Sequence, residues 1–88
     1  MVVCSPREVV ELKDFYPSYD FIVPGIRSPH MAKDHQERTT SAYEALRMGA
    51  SYLVMGAQIT KGNPVAGISP EKSQQITLTE IEKHFSEI

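Results

Sequence analysis

The sequence predicts an α/β fold built on parallel strands, and three observations carry that prediction. Three short apolar stretches recur along the chain: Val2-Val3-Cys4, Phe21-Ile22-Val23 and Tyr52-Leu53-Val54-Met55. Each is apolar throughout rather than alternating, the pattern of parallel strands buried on both faces of a sheet. A helix-start signal follows each one, so the order reads strand–helix three times, the arrangement that lays helices against a parallel sheet.

The first strand gives way to Ser5-Pro6-Arg7-Glu8. A serine oxygen can take the free N–H of the glutamate, the glutamate can reach back, and proline sits where a missing N–H costs nothing. Val9 and Leu12 lie three apart and put an apolar stripe on this helix, and Pro17 limits it. The second strand closes at the turn signal Pro24-Gly25. From Arg27 to Thr40 the chain is polar and charged, with Met31 and Ala32 its only apolar residues. Segments of that length are commonly lids or binding loops, and this one leaves the C-terminal end of a strand, where α/β proteins place their ligand sites.

Ser41-Ala42-Tyr43-Glu44 repeats the capping pattern, and Ala45, Leu46 and Met48 continue a helix that Gly49 can end in a left-handed conformation. The third strand stops at Gly56. Residues 61–75 include Gly62, Pro64, Gly67 and Pro70 and read as an exposed connection. Thr77-Leu78-Thr79-Glu80 then reads as the capping box of a last helix, with Leu78, Ile81, Phe85 and Ile88 along one face.

Composition narrows the function classes. The chain has 88 residues, 41% hydrophobic and 23% charged, with a net charge of −2, ordinary for a globular protein. Slight acidity gives no electrostatic reason to expect nucleic acid or anionic lipid as a partner. Val2 and Val3 follow Met1 with no basic region and no long apolar run, so neither a signal peptide nor a membrane span is expected, and a cytoplasmic location is. Cys4, the single cysteine, has no internal partner for a disulfide and reads as a small buried hydrophobe. His30, His35 and His84 match no standard ligand spacing, so no metal site is expected.

A closed (β/α)₈ barrel takes roughly 250 residues, or about 30 per strand–helix unit. By that measure this chain holds three units. Three parallel strands leave two edges with unpaired backbone groups, so residues 1–88 are read as a piece of a larger sheet. The edges call for the N-terminal part of such a barrel or for further copies of the chain. A small complete three-stranded α/β domain is the alternative.

Several of these segments resemble one family in order and spacing. Val2-Val3-Cys4-Ser5, Val23-Pro24-Gly25-Ile26-Arg27, Asp34-His35-Gln36-Glu37-Arg38, Glu44-Ala45-Leu46, Gly49-Ala50, Tyr52-Leu53-Val54-Met55-Gly56, Ile59-Thr60 and Asn63-Pro64 are similar to strands six to eight of bacterial orotidine 5′-monophosphate decarboxylases and their connections. The resemblance implies the C-terminal three βα units of a TIM (β/α)₈ barrel, incomplete by itself. It also implies a lyase that converts orotidine 5′-monophosphate to UMP in de novo pyrimidine synthesis without a cofactor.

In that family the nucleotide phosphate sits between the ends of strands seven and eight. Carried over residue by residue, this makes Gly56 and Ala57 phosphate-binding through their backbone N–H groups, Gln36 the loop residue reaching phosphate and base, and Pro24 and Gly25 part of the base pocket. The sequence departs from the family at one telling place: Gly56-Ala57-Gln58-Ile59 stands where the family has Gly-Arg-Pro-Ile. Ala57 replaces the arginine that pairs with the phosphate, and Gln58 offers a neutral donor in compensation. The family's Lys-Asp-Lys-Asp catalytic array lies on earlier strands, so no catalytic residue is expected in this chain. A truncated, non-catalytic remnant is the competing functional reading, and a sugar-phosphate lyase sharing the barrel is a weaker one. Arg27 is open between binding an anion and bracing its turn.

Overall fold

The computed structural model describes residues 1–32 and 39–88. Three strands, β1 (Val2–Val3), β2 (Phe21–Val23) and β3 (Tyr52–Leu53), form one sheet in the order β1-β2-β3. Both pairings are parallel, with Val2 opposite Phe21 and Val23 opposite Leu53. The ladder extends past the strands at Cys4 N–H to Ile22 O (3.0 Å) and Val54 N–H to Val23 O (3.0 Å). Among the described residues four α-helices follow: α1 (Pro6–Leu12), α2 (Ala42–Met48), α3 (Ala57–Thr60) and α4 (Pro70–Ser86).

The local signals explain the first two helices. Ser5 and Ser41 each accept the N–H of the residue three ahead, and Glu8 and Glu44 each reach back to the serine N–H, which completes both capping boxes. α1 ends earlier than Pro17 requires, at Leu12. Gly49 closes α2 at φ 114°, a left-handed conformation that costs other residues strain. A Cβ at Gly49 would also lie 3.2 Å from Lys13 Cδ and 3.4 Å from Val9 Cγ1, so glycine lets α1 and α2 approach.

One face of the sheet is covered. Cys4, Phe21 and Val23 point to a core completed by Val9, Ile26, Ala42, Ala45 and Ala50, with Leu12, Leu53 and Ile81 packed around it. The other face is open: Val3 is 67% exposed, Tyr52 53% and Val54 51%. Parallel sheets are normally buried on both sides. Among the described residues this is a one-sided parallel sheet with two unpaired edges, consistent with part of a TIM barrel, whose inner face is filled by side chains from all its strands.

The last helix begins earlier than its apparent capping box. Ser69 is the N-cap, its hydroxyl accepting Lys72 N–H at 3.1 Å, and Pro70 is the first helical residue. Thr77 lies inside α4, where its hydroxyl donates back to Ser73 O at 2.9 Å. The connection after α3 is therefore 61–69, and it holds a short 3₁₀ turn at Pro64–Ala66. The expected apolar stripe divides: in α4, Ile81 packs on the core while Leu78 and Phe85 are exposed, and Ile88, beyond the end of the helix, is exposed as well. No described helix is long and apolar enough to cross a membrane.

Candidate functional site

A cleft of about 440 Å³ opens where β2 and β3 end. One wall is the chain leaving β2, with Gly25, Ile26, Arg27 and Met31; the other is the turn into α3, with Gly56, Ala57 and Gln58; Thr39 and Thr40 border it. This is the C-terminal side of a parallel sheet, where the strand-to-helix connections converge. The walls take shape from their own residues. Gly25 turns the chain at φ 74°, and Arg27 N–H then bonds Thr40 O at 3.0 Å in an isolated antiparallel bridge. That bridge joins the two ends of the long polar loop.

On the opposite wall Gly56 precedes α3 without a side-chain cap among the described residues. Ile59 and Thr60 N–H close on Gly56 O at 2.9 and 3.1 Å. The N–H groups of Ala57 and Gln58 fall at the start of the helix, where no intrahelical acceptor exists. Among the described residues nothing lies within 4 Å of the position a Cβ on Gly56 would take, so a ligand atom can come close to this backbone. Among the described lining residues, Arg27 carries the positive charge.

Gly25, Gly56 and Ala57 are thus brought together on one cleft. Pro24, expected beside them, is exposed at the end of β2 and does not line the cleft. Gln36 lies outside the described residues. Gln58 does not extend toward a ligand: it is only 3% exposed, and its amide is fully engaged inside the protein. Its Oε1 accepts Ser28 N–H at 2.9 Å, and its Nε2 donates to Ser28 Oγ at 2.9 Å and Thr77 Oγ1 at 2.7 Å. With both amide protons used, the expected compensating donor is not available.

Residues that sequence reasoning passed over complete this buried network. Ser28 Oγ donates to Glu80 Oε2 at 2.7 Å, and the same oxygen takes Ala42 N–H at 3.2 Å. Ser73, with no exposed surface, donates to Gln58 O at 2.6 Å and meets His30 Nε2 at 2.7 Å. Because the Ser73 proton is committed to the carbonyl, His30 donates from Nε2. Nδ1 is then the bare nitrogen, buried and without a partner among the described residues. Burial lowers the His30 pKa from its ordinary 6.5, and the Glu80 charge opposes the shift. A signal existed: Ser73, Thr77 and Glu80 recur at helical spacing and form one polar stripe.

Elsewhere Cys4 is buried in the core, and burial, then the Glu8 charge, raises its pKa. It is a protonated packing residue rather than a nucleophile. Among the described residues no group of three or more His, Cys, Asp or Glu side chains converges on a common point.

A three-stranded, all-parallel open sheet with helices on one face and a cleft at the strand ends is consistent with part of a barrel of the TIM type. No protein-family model matches the chain. It is similar to orotidine 5′-phosphate decarboxylases of Prochlorococcus marinus strain NATL1A (48% identical over 65 residues, 73% of this chain and 27% of the relative) and Lawsonia intracellularis (40% over 60 residues, 68% and 26%). The enzyme of Opitutus terrae is 43% identical over 67 residues, 74% of this chain and 29% of the relative. The chain therefore resembles part of orotidine 5′-phosphate decarboxylase, and it spans about a quarter of the length of these relatives.

Proposed function

We propose that this chain carries the nucleotide-phosphate end of an orotidine 5′-monophosphate decarboxylase site, and none of the residues that perform the proton chemistry. The observation that carries the reading is the meeting of Gly25, Gly56 and Ala57 on one cleft, at the place where the resemblance puts the phosphate. The ligand would be orotidine 5′-monophosphate or UMP. Backbone N–H groups at the start of α3 would hold phosphate oxygens, with Arg27 bordering the same cleft. Completing the site requires the N-terminal part of the barrel, or further copies of the chain, against the open face and edges of the sheet.

The alanine at 57 favours a second reading, a non-catalytic remnant whose grip on phosphate is reduced. A bidentate arginine–phosphate contact is charge-assisted, and each such bond contributes about 1.5–3 kcal/mol. Its loss would leave affinity to neutral N–H donors. Calorimetric titration with UMP separates the readings, using the chain as it stands and its Ala57→Arg variant. Under the phosphate reading the parent binds measurably and the variant binds about tenfold or more tightly, about 1.4 kcal/mol. No heat from either protein would leave the remnant. Residues 1–88 alone are expected to show no turnover of orotidine 5′-monophosphate, and turnover above a blank free of host enzyme would overturn that part of the proposal.

A further inference from the structure

We infer that Gln58 is the positioning residue of the cleft: its buried carboxamide bolts the chain leaving β2 to the first turn of α3 and to the inner face of α4. The inference rests on reading this cleft as the ligand site, and goes beyond it by naming what holds the two walls in register.

The orientation of the amide follows from its partners. Ser28 N–H can only donate, so the atom 2.9 Å away is the carbonyl oxygen Oε1. Nε2 then faces Ser28 Oγ and Thr77 Oγ1. Both hydroxyls have given their own protons elsewhere, to Glu80 Oε2 and to Ser73 O, so both meet Nε2 as acceptors. Every proton has one destination, and the reversed amide would set two donors against each other at Ser28. The main chain is held as well, because Ser73 Oγ donates to Gln58 O.

The consequence is geometric. Gln58 follows Ala57 directly, so the N–H groups that open α3 are aimed by the place where Gln58 is pinned. Ser28 follows Arg27 directly, so the opposite wall is pinned by the same amide. Glu80 extends the clamp to the start of α2 through Ala42 N–H. Among the described residues no strand ladder joins the two strand-end connections; the Gln58 side chain ties them at the cleft, and Asn63 Nδ2 to His30 O at 2.9 Å ties them further from it. The Gln58 side chain touches no ligand, since its donors are spent inside the protein; it acts through the residues and the backbone N–H groups it holds in place.

The test is amide hydrogen exchange on the 88-residue chain with two variants. Gln58→Met keeps the length and removes all three side-chain bonds. Gln58→Glu keeps the acceptor for Ser28 N–H, removes both donors and sets a second carboxylate near Glu80. Protection of the Arg27, Ser28 and Ile59 amides is compared with that of Lys13, whose N–H bonds Val9 O at the end of α1. In Gln58→Met the cleft amides should lose protection by about tenfold or more relative to Lys13. Gln58→Glu should show the same loss near about pH 8 and recover much of it near about pH 5, where a carboxyl raised by burial is protonated and regains one donor. A side chain that only filled volume would give no such pH dependence.

Unchanged relative protection in Gln58→Met, or a Gln58→Glu deficit equal at both pH values, overturns the clamp. Should Gln58→Met fail to fold, Thr77→Val removes one of the three bonds and supplies the same comparison. UMP titration runs beside it and answers a different question. A parent chain that binds no UMP overturns the ligand reading and leaves the clamp to the exchange data. Equal UMP affinity in parent and Gln58→Met overturns the positioning role.

Discussion

Thr77→Val isolates the energetic weight of the buried polar network, because α4 contains its own control. Thr77 and Thr79 each donate to the backbone carbonyl four residues earlier, both at 2.9 Å. They differ in surroundings: Thr77 is 2% exposed and also accepts the Gln58 amide at 2.7 Å, whereas Thr79 is exposed. Valine preserves shape and β-branching in both places, so side-chain volume and χ1 freedom cancel to a first approximation. At position 79 the change should stay within about 0.5 kcal/mol. At position 77 it strands one proton of a buried amide, a loss of about 1–3 kcal/mol. A chain of this size loses about 4–8 °C of Tm per kcal/mol. Thr77→Val should therefore melt about 5–20 °C below Thr79→Val by far-UV dichroism. Equal melting temperatures would refute the claim that the Gln58 network is held by satisfied bonds rather than by packing alone.

Two further outcomes follow from other parts of the fold. His30 is held neutral by burial, with Glu80 as the charged group acting on it, so its folded-state pKa lies below the unfolded value. Its contribution to stability is complete above the ordinary histidine pKa of about 6.5 and is lost as pH falls through the lowered folded-state value. The Tm of the parent should decline more steeply between about pH 7.5 and about pH 5 than that of His30→Gln, and parallel curves would remove His30 from the account. On the open sheet face, Tyr52 and Val54 are 53% and 51% exposed beside the β3 edge. Lysine there blocks strand pairing, so sedimentation velocity should show the parent self-associating and Tyr52→Lys/Val54→Lys shifted toward monomer. A parent that sediments as a sharp monomer and unfolds cooperatively would favour a small complete domain instead.

Local signals were legible in the sequence to the extent that one signal acted at a time. Ser5 and Ser41 each face a single glutamate three residues ahead, and both capping boxes form. Gly49 takes the left-handed conformation its position demands. The start of α4 was ambiguous because two signals compete: Ser69-Pro70 and the Thr77-to-Glu80 spacing both resemble helix starts. The earlier one prevails, since Pro70 at the first helical position has no N–H to lose. The sheet order was legible as strand–helix repetition, but the one-sided burial was not, because uniformly apolar strands look alike whether one face or both are covered. α3, four residues long, is too short to show a period. Gly25, Gly56 and Ala57, singled out through the resemblance, all line the cleft. The inward turn of Gln58 was not legible, because its direction is set by Ser28 and Thr77, 30 and 19 residues away.

The central claim is that the cleft between β2 and α3 reads a nucleotide phosphate, and amide chemical-shift mapping with two ligands tests it most directly. UMP and uridine share base and ribose and differ only in the phosphate. If the account is right, UMP shifts the amides of Gly25, Arg27, Gly56, Ala57 and Gln58, the residues that line the cleft. Uridine at the same concentration leaves Gly56, Ala57 and Gln58 in place. Identical shifts from both ligands would mean that the cleft does not recognise phosphate, and no shifts from either would contradict a nucleotide site in these residues.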